Sequence, residues 1–340
     1  MKLLYFIFSI ITIFISCNKK STKQTTFNND FIISFSSCDN QEIENKMWSE
    51  ILKNEPGIFI WGGDIIYSDT ENMQLMQKNY EKQKNDSVYL DFINKVTVLG
   101  TWDDHDYGKN DAGKEYIKKD SVQQLFLDFL DVETSDIRRN QQGVYFSKDF
   151  KIDSNSIKVI VLDTRYFRSE LTKDTITKKR YKPNTFGEGT MLGNQQWKWL
   201  EKQLISSKSD FNIIVSSIQF LSFEHGFETW GNMPHEVEKL ETIIQESKAK
   251  GVIILSGDRH IAEISSKNLP NIKYPLIDFT ASGMTHSYSS FKGETNKYRV
   301  SNVVFEKNFG LLKFDFKNNS VTMEIRGENN TLLDSFSQQY

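Results

Sequence analysis

Three short apolar runs constrain the fold of this chain most: Ile58-Phe59-Ile60-Trp61, Val96-Thr97-Val98-Leu99 and Val252-Ile253-Ile254-Leu255. An apolar run of about four to eight residues bounded by Gly reads as a buried strand. Each run leads within a few residues into a carboxylate-bearing phrase. The phrases are Gly63-Asp64-Ile65-Ile66-Tyr67, Trp102-Asp103-Asp104-His105-Asp106 and Gly257-Asp258-Arg259-His260. Each phrase therefore stands where a buried strand opens into a loop, the edge at which α/β sheets bind ligands. Asp after Gly is also ordinary turn chemistry. The repetition favours a site. Carboxylates gathered together disfavour one another's ionised form, and a bound divalent or trivalent cation removes that cost.

Around these runs, strands and helices alternate, the pattern of an α/β protein. Strands are expected at 31–37, 57–61, 144–146, 157–162, 211–215 and 252–255. Helices are expected at 42–53, 120–130 with Asp120 as N-cap, 194–204 and 236–248. Residues 73–92 carry apolar residues at helical spacing. Near the end, alternating segments flank Asn318-Asn319 and predict a β-hairpin. Residues 172–189 are mostly polar, with Pro183, Gly187 and Gly189. They read as a long loop near the site, since such loops are usually functional or mobile. Trp197 and Trp199 read as helix packing. His225, His235 and His286 read as loop or surface residues. At 340 residues the chain holds one large α/β domain or two ordinary ones, and no repeat or strong boundary divides it. Its formal charge of −3 offers no broad attraction to nucleic acid, and a monomer is expected.

Residues 1–17 differ from the rest. Lys2 precedes a largely apolar stretch of 13 residues, Leu3 to Ile15, and Ser16-Cys17 closes it. This describes a secretory signal, short for a bilayer span. Its ending resembles a bacterial lipobox, with Cys17 as the acylated first residue of the mature protein; a plain signal peptide or uncleaved anchor is the alternative. Residues 18–30 then form a polar tether. The expected localisation is outside the cytoplasm, lipid-anchored to a bacterial membrane. Cysteine occurs only at 17 and 38, so a lipidated Cys17 leaves Cys38 unpaired in an exported protein. Cys38 is then a buried thiol or a metal ligand, and its place at the end of the first strand favours the ligand.

Gly63-Asp64-x-x-Tyr67 puts a carboxylate and a phenol within reach of one ion. Thiolate and phenolate donors suit a highly charged transition metal such as Fe³⁺. Asp104 and His105 are adjacent and divide roles, one as ligand and the other as proton donor or phosphate contact. Asp258-x-His260 has the spacing that puts both side chains on one side of an extended segment.

With Ser37-Cys38 and Leu162-Asp163-x-Arg165, these phrases occur in the order found in the alkaline phosphatase D (PhoD-like) family of calcineurin-like metallophosphoesterases. The chain resembles that family from about Phe31 to about Gly327. The resemblance implies a four-layer αββα sandwich over 31–340, with metals at its top edge. It implies iron on Cys38, Asp64, Tyr67 and His260. A second metal, Ca²⁺ with Mn²⁺, Mg²⁺ or Zn²⁺ as alternatives, would lie on Asp64, Asp104 and Asp258. It implies phosphate-ester hydrolysis by a metal-activated water. Arg165 is expected to hold phosphate oxygens or to pair with Asp163. His105 is expected to assist the leaving oxygen or to orient a ligand. Two departures stand out. Asp104 replaces the Asn usual in the superfamily, and Asp106 replaces the usual Glu. Many members also carry an N-terminal immunoglobulin-like domain, where only a tether is expected here. The alternatives are a nuclease or phospholipase-like diesterase on the same site, and a non-catalytic ligand-binding lipoprotein.

Overall fold

The computed structural model describes residues 30–340; the expected signal segment, Cys17 and the tether up to residue 29 lie outside the described residues. Two six-stranded sheets form the centre. The first runs, edge to edge, β14 (Leu332–Gln339), β13 (Ser320–Arg326), β12 (Phe309–Asp315), β1 (Asp30–Ser36), β2 (Ile58–Gly62) and β3 (Thr97–Thr101). The second runs β10 (Ala262–Lys267), β11 (Leu276–Ala281), β9 (Val252–Ser256), β8 (Phe211–Val215), β5 (Asn155–Val161) and β4 (Phe146–Ile152). A small ribbon, β6 (Thr172–Lys173) with β7 (Tyr181–Lys182), stands apart.

The middle of each sheet is parallel: β1, β2 and β3 in the first, and β5, β8, β9 and β11 in the second. Parallel neighbours need a crossover, usually helical. Helix α1 (Met47–Leu52) links β1 to β2, while α2 (Met73–Lys84) and α3 (Ser87–Ile93) link β2 to β3. A single turn, α4 (Asp104–Tyr107), and α5 (Lys119–Phe129) follow β3. Helix α6 (Gly193–Ser206) links β5 to β8, and α7 (Pro234–Ser247) links β8 to β9.

Side chains alternate across each strand, and this alternation sets the layers. Phe31, Ile33 and Phe35 of β1, Ile58 and Ile60 of β2, Val159 and Val161 of β5, and Ile253 and Leu255 of β9 share the core between the sheets. On the other face of β2, Phe59 and Trp61 pack with Trp48 of α1 and with Tyr89 and Phe92 of α3. On the far side, Ile160 and Ile254 meet Trp197, Leu200, Leu240 and Ile244 of α6 and α7. The order is helix, sheet, sheet, helix: the αββα sandwich. Because both faces are covered, the central strands are largely apolar, with β2 and β9 the clearest runs. Each large apolar side chain buried this way contributes about 1.5–3 kcal/mol.

Several elements depart from the sequence reading. The helix expected from Glu42 starts at Met47, because Asn40 and Asn45 take the amides of Glu42 and Met47 into side-chain turns at 2.9 and 2.8 Å. The stretch 73–92 breaks at Asn85-Asp86, where Asp86 caps α3 by accepting from the amides of Val88 and Tyr89. Lys118, not Asp120, occupies the N-cap of α5, and Asp120 accepts the Tyr166 hydroxyl instead. Strands β10, β11 and β14 are additional, as are β6 and β7 within the segment expected as a loop. In β10 the polar Glu263 and Ser265 are buried and held by Asn296 at 3.0 and 2.9 Å, so no apolar run announces that strand.

Candidate metal centre

All the parallel strands release the chain at one edge of the sandwich. Cys38 follows β1, Asp64 and Tyr67 follow β2, and Asp103 to Asp106 follow β3. From the second sheet, Arg165 follows β5, Ser217 follows β8, Asp258 to His260 follow β9, and Ser282 and His286 follow β11. Two glycines let these loops meet. A Cβ at Gly63 would lie 2.4 Å from Asp103 Cβ, and one at Gly257 would lie 2.5 Å from Ser37 Oγ.

The donor atoms form three overlapping triplets, each within 4.8 Å: Cys38/Asp64/His260, Asp64/Asp104/His105 and Asp103/Asp104/Asp258. Tyr67 joins the first triplet. Its hydroxyl donates to Asp64 Oδ2 at 3.4 Å and lies 3.0 Å from His260 Nε2. The Cys38 thiol lies 3.4 Å from Asp64 Oδ2 and 3.1 Å from Ser282 Oγ. Asp64 is thus shared between a thiol–phenol–imidazole end and a carboxylate end.

The backbone is unusual at these positions. Cys38, Asp64, Asp258 and His260 have φ of 64°, 49°, 69° and 54°. Left-handed non-glycine residues cost about 1–3 kcal/mol each and cluster at functional sites. This corrects the expected extended geometry for Asp258-x-His260. Both residues turn left-handed, and Asp258, Arg259 and His260 all line one cavity of about 300 Å³, with Asp104, His105 and Arg180.

The electrostatics describe a cluster that lacks positive charge. Burial, the Cys38 sulfur and Asp104 push Asp64 well above the carboxylate range. Burial, Asp103 and Asp104 do the same to Asp258. Burial pushes the Cys38 thiol up to about 12 and raises the Tyr67 phenol. Burial pulls His260 down to about 3, with help from His286 and His105. Asp104 is different: burial pushes it up, but Arg165, His105 and the Asp111 amide outweigh this and hold it low. Its Oδ2 accepts from Asn110 and Asp111 at 2.9 and 2.7 Å. Asp104 Oδ1 and Asp103 Oδ2 are buried with no hydrogen-bond partner among the described residues. Buried, unpaired carboxylate oxygens are costly, and a cation between them is what they fit. The donor set fits as well: sulfur, phenol and imidazole at one end for a transition ion, and carboxylates alone at the other for a hard cation.

The remaining predicted residues fall in distinct places. His105 borders the cavity. Its Nδ1 lies 2.6 Å from Asp69 Oδ2 and its Nε2 lies 4.0 Å from Asp104 Oδ1. Burial pulls His105 down, but the Asp69 hydrogen bond and Asp104 outweigh it and raise it to about 8. Arg165 requires a correction. It is fully buried beneath the ligand loops. Its Nε donates to Asp103 at 2.6 Å and its Nη1 to Glu228 at 2.5 Å. It is not placed to grip a phosphate, and its guanidinium does not pair with Asp163. That carboxylate accepts the indole N–H of Trp102 and the amides of Val144, Arg165 and Tyr166. Asp106 is a brace, taking the amides of Asp103 and Ile65 at 2.6 and 3.1 Å.

Sequence reasoning missed other participants. His286, read as a surface residue, packs edge-on against Tyr67 and His260, with ring centroids 4.9 and 4.5 Å apart. It follows β11, so recognising that strand would have brought His286 and Ser282 to the edge. Glu228 lies far from any motif and is found only through its pairs with Arg165 and Arg168 at 2.5 and 2.7 Å.

A family model described as PhoD-like phosphatase matches residues 32–325. The chain is 24% identical over 226 residues to alkaline phosphatase D of Bacillus subtilis (strain 168). That match covers 61% of this chain but only 38% of the relative's length. A solved structure of PhoD superposes with a TM-score of 0.74 at 16% identity, over 92% of this chain and 70% of that one. GAP50, the anchor in the inner membrane complex of Plasmodium, superposes with a TM-score of 0.58 at 9% identity, over 92% and 89%. Those two likenesses speak for the fold alone. The family model covers every candidate metal ligand and both sheets apart from β14 and the outer ends of β1 and β13, and on it the conclusion rests: this chain belongs to the PhoD-like phosphatase family.

Proposed function

We propose that this chain hydrolyses phosphate esters at a dinuclear metal site, as an exported protein anchored by lipid at Cys17. Iron would be held by Cys38, Asp64, Tyr67 and His260. A second cation, calcium in the first instance, or manganese, magnesium or zinc, would be held by Asp64, Asp104 and Asp258. The observation that carries this reading is the buried cluster itself. Four carboxylates, a thiol, a phenol and two imidazoles converge, with carboxylate oxygens unpaired and acids raised by one another.

When bound, such a metal pair supplies an activated water and charge stabilisation for an in-line displacement. The protein's residues do the rest. Asp64 bridges the two ends of the site and holds the His105 amide at 3.2 Å. Asp69 holds Nδ1 of His105 and leaves Nε2 toward the cavity, where a protonated imidazole can give its proton to the leaving oxygen. Asn110 and Asp111 fix Asp104 through one oxygen and leave the other for the metal. Arg165, with Asp103 and Glu228, is a positioning residue under the floor.

The neighbouring cavity of about 530 Å³ shares Asn110, Asp111 and Arg180 with the metal pocket. That room beside the metal pocket is space for the second ester group of a diester, so diesters stand beside monoesters as substrates. The test is hydrolysis of nitrophenyl phosphate and bis-nitrophenyl phosphate by native protein and by Asp64→Asn. The variant is expected to lose metal and activity together, since two cations without their anionic bridge repel at short range. Undiminished hydrolysis of both esters by Asp64→Asn would overturn the proposal.

A further inference from the structure

We infer that Arg259 is the residue that grips the non-bridging oxygens of the substrate phosphate; this rests on the phosphoesterase reading above. Four arginines surround the site. Arg165 and Arg168 are fully buried and committed to Asp103 and Glu228. Arg180 is half exposed and paired with Asp111 at 2.6 Å. Arg259 differs from all three. It lines the metal cavity beside Asp258, His260 and Asp104, and its side chain is only 7% exposed. One N–H₂ group binds Glu294 at 2.6 Å. Its Nε is buried with no acceptor among the described residues and no ion pair of its own.

A buried, charged N–H without an acceptor is costly. Beside the metal cavity, it is a charged donor without a partner. The guanidinium is also fixed in place. Its Cζ sits 4.2 Å from the Phe227 ring centroid, so the plane is supported on one side, and Glu294 ties its far end. Preorganised guanidinium donors match phosphate oxygens in geometry and charge. The left-handed φ of Asp258 and His260, 69° and 54°, sends Arg259 into the same cavity as the two ligands flanking it. The protein thus places a fixed cation against the phosphoryl group from the side of the second sheet. This is the task first expected of Arg165.

A rival role is purely structural: Arg259 as a latch on the segment carrying Glu294. Two variants separate the roles, tested in metal-loaded protein. Arg259→Gln removes the charge, and Glu294→Gln removes the latch but keeps the guanidinium. The readouts are the Kd of inorganic phosphate by calorimetry, the KM for nitrophenyl phosphate, and metal content. Arg259→Gln is expected to weaken phosphate binding and raise KM by about ten- to a hundredfold, the scale of a charge-assisted hydrogen bond, with metal content unchanged. Glu294→Gln is expected to keep phosphate affinity within about threefold, a change below the tenfold that one such bond supplies. Equal defects in both variants would reduce Arg259 to a latch. Native-like phosphate affinity in Arg259→Gln would also overturn the inference. Native protein that binds phosphate and cleaves the ester isolates either failure from the phosphoesterase reading; native protein that does neither ends both.

Discussion

Removing Arg165 leaves a specific charge stranded, and the consequence depends on pH. In Arg165→Met, Glu228 keeps Arg168 at 2.7 Å. Asp103 keeps only the Ser217 hydroxyl on that oxygen, at 2.7 Å, and loses both guanidinium contacts. Breaking one side of a fully buried ion pair costs about 3–5 kcal/mol. Burial already pushes Asp103 up to about 7 against the pull of Arg165, and without Arg165 it rises further. An acid raised on folding contributes stability that is fully present below its unfolded pKa of about 3.9 and is lost as pH rises through its folded pKa. The deficit of the variant therefore opens above about pH 7, where Asp103 ionises in the native protein, grows as pH rises further, and shrinks below it, where Asp103 takes up a proton. Urea unfolding of chelator-treated protein, followed by tryptophan fluorescence at about pH 8.5 and 5.5, reads this directly. The expected deficit at the higher pH is about 3–5 kcal/mol, and smaller at the lower. A deficit below about 1 kcal/mol at pH 8.5, the scale of an exposed pair, would refute the reasoning, as would equal deficits at both pH values.

Other outcomes follow from the same geometry. If Cys38 and Tyr67 share one ferric ion, the purified protein has a visible charge-transfer band that changes in Tyr67→Phe and Cys38→Ser; colourless, fully active protein containing only calcium, magnesium or zinc rules this out. If His105 protonates the leaving oxygen, His105→Ala keeps its metal and slows by about 10²–10⁴, with a smaller deficit for nitrophenyl than for alkyl phosphates; an equal deficit points to phosphate positioning. Because His105 must be protonated to donate and is raised to about 8 by Asp69 and Asp104, turnover should fall as pH rises through its pKa, which a bound cation lowers, and Asp69→Asn should move that fall to lower pH; an unmoved alkaline limb would remove His105 from the step. If Cys17 is lipidated, intact mass of membrane-extracted protein starts at Cys17 with added acyl groups, whereas an unmodified soluble form starting beyond it contradicts the anchor.

Much of this fold is legible in the amino-acid sequence, for a physical reason. Strands covered on both faces are largely apolar, so β2 and β9 stand out within a polar sequence. Their carboxylate-rich sequels then fall at one edge by topology alone. What stayed hidden was whatever depends on long-range partners. β10 buries Glu263 against Arg299 and Asn296, so its polar sequence conceals a strand. The loop residue His286 carries no local signal of where the fold places it, and Arg259, though inside a site phrase, carries none of the role its surroundings give it. Arg165 misled because adjacency to Asp163 in sequence says nothing of the Asp103 and Glu228 carboxylates, 62 and 63 residues away, that claim its guanidinium. The left-handed backbone at Asp258 and His260 likewise has no signature in residue order, and these residues line the candidate metal cavity.

The most direct measurement is a metal restoration titration. Protein stripped by chelator is given back iron and then a divalent ion, while bound metal and nitrophenyl phosphate turnover are read together. Turnover should be absent in the stripped protein, rise with each metal restored, and saturate at about two metals per chain, the dinuclear arrangement expected for in-line phosphoryl displacement. Hydrolysis that persists undiminished in stripped protein, or a fully restored metal pair that cleaves neither monoester nor diester, would contradict the account.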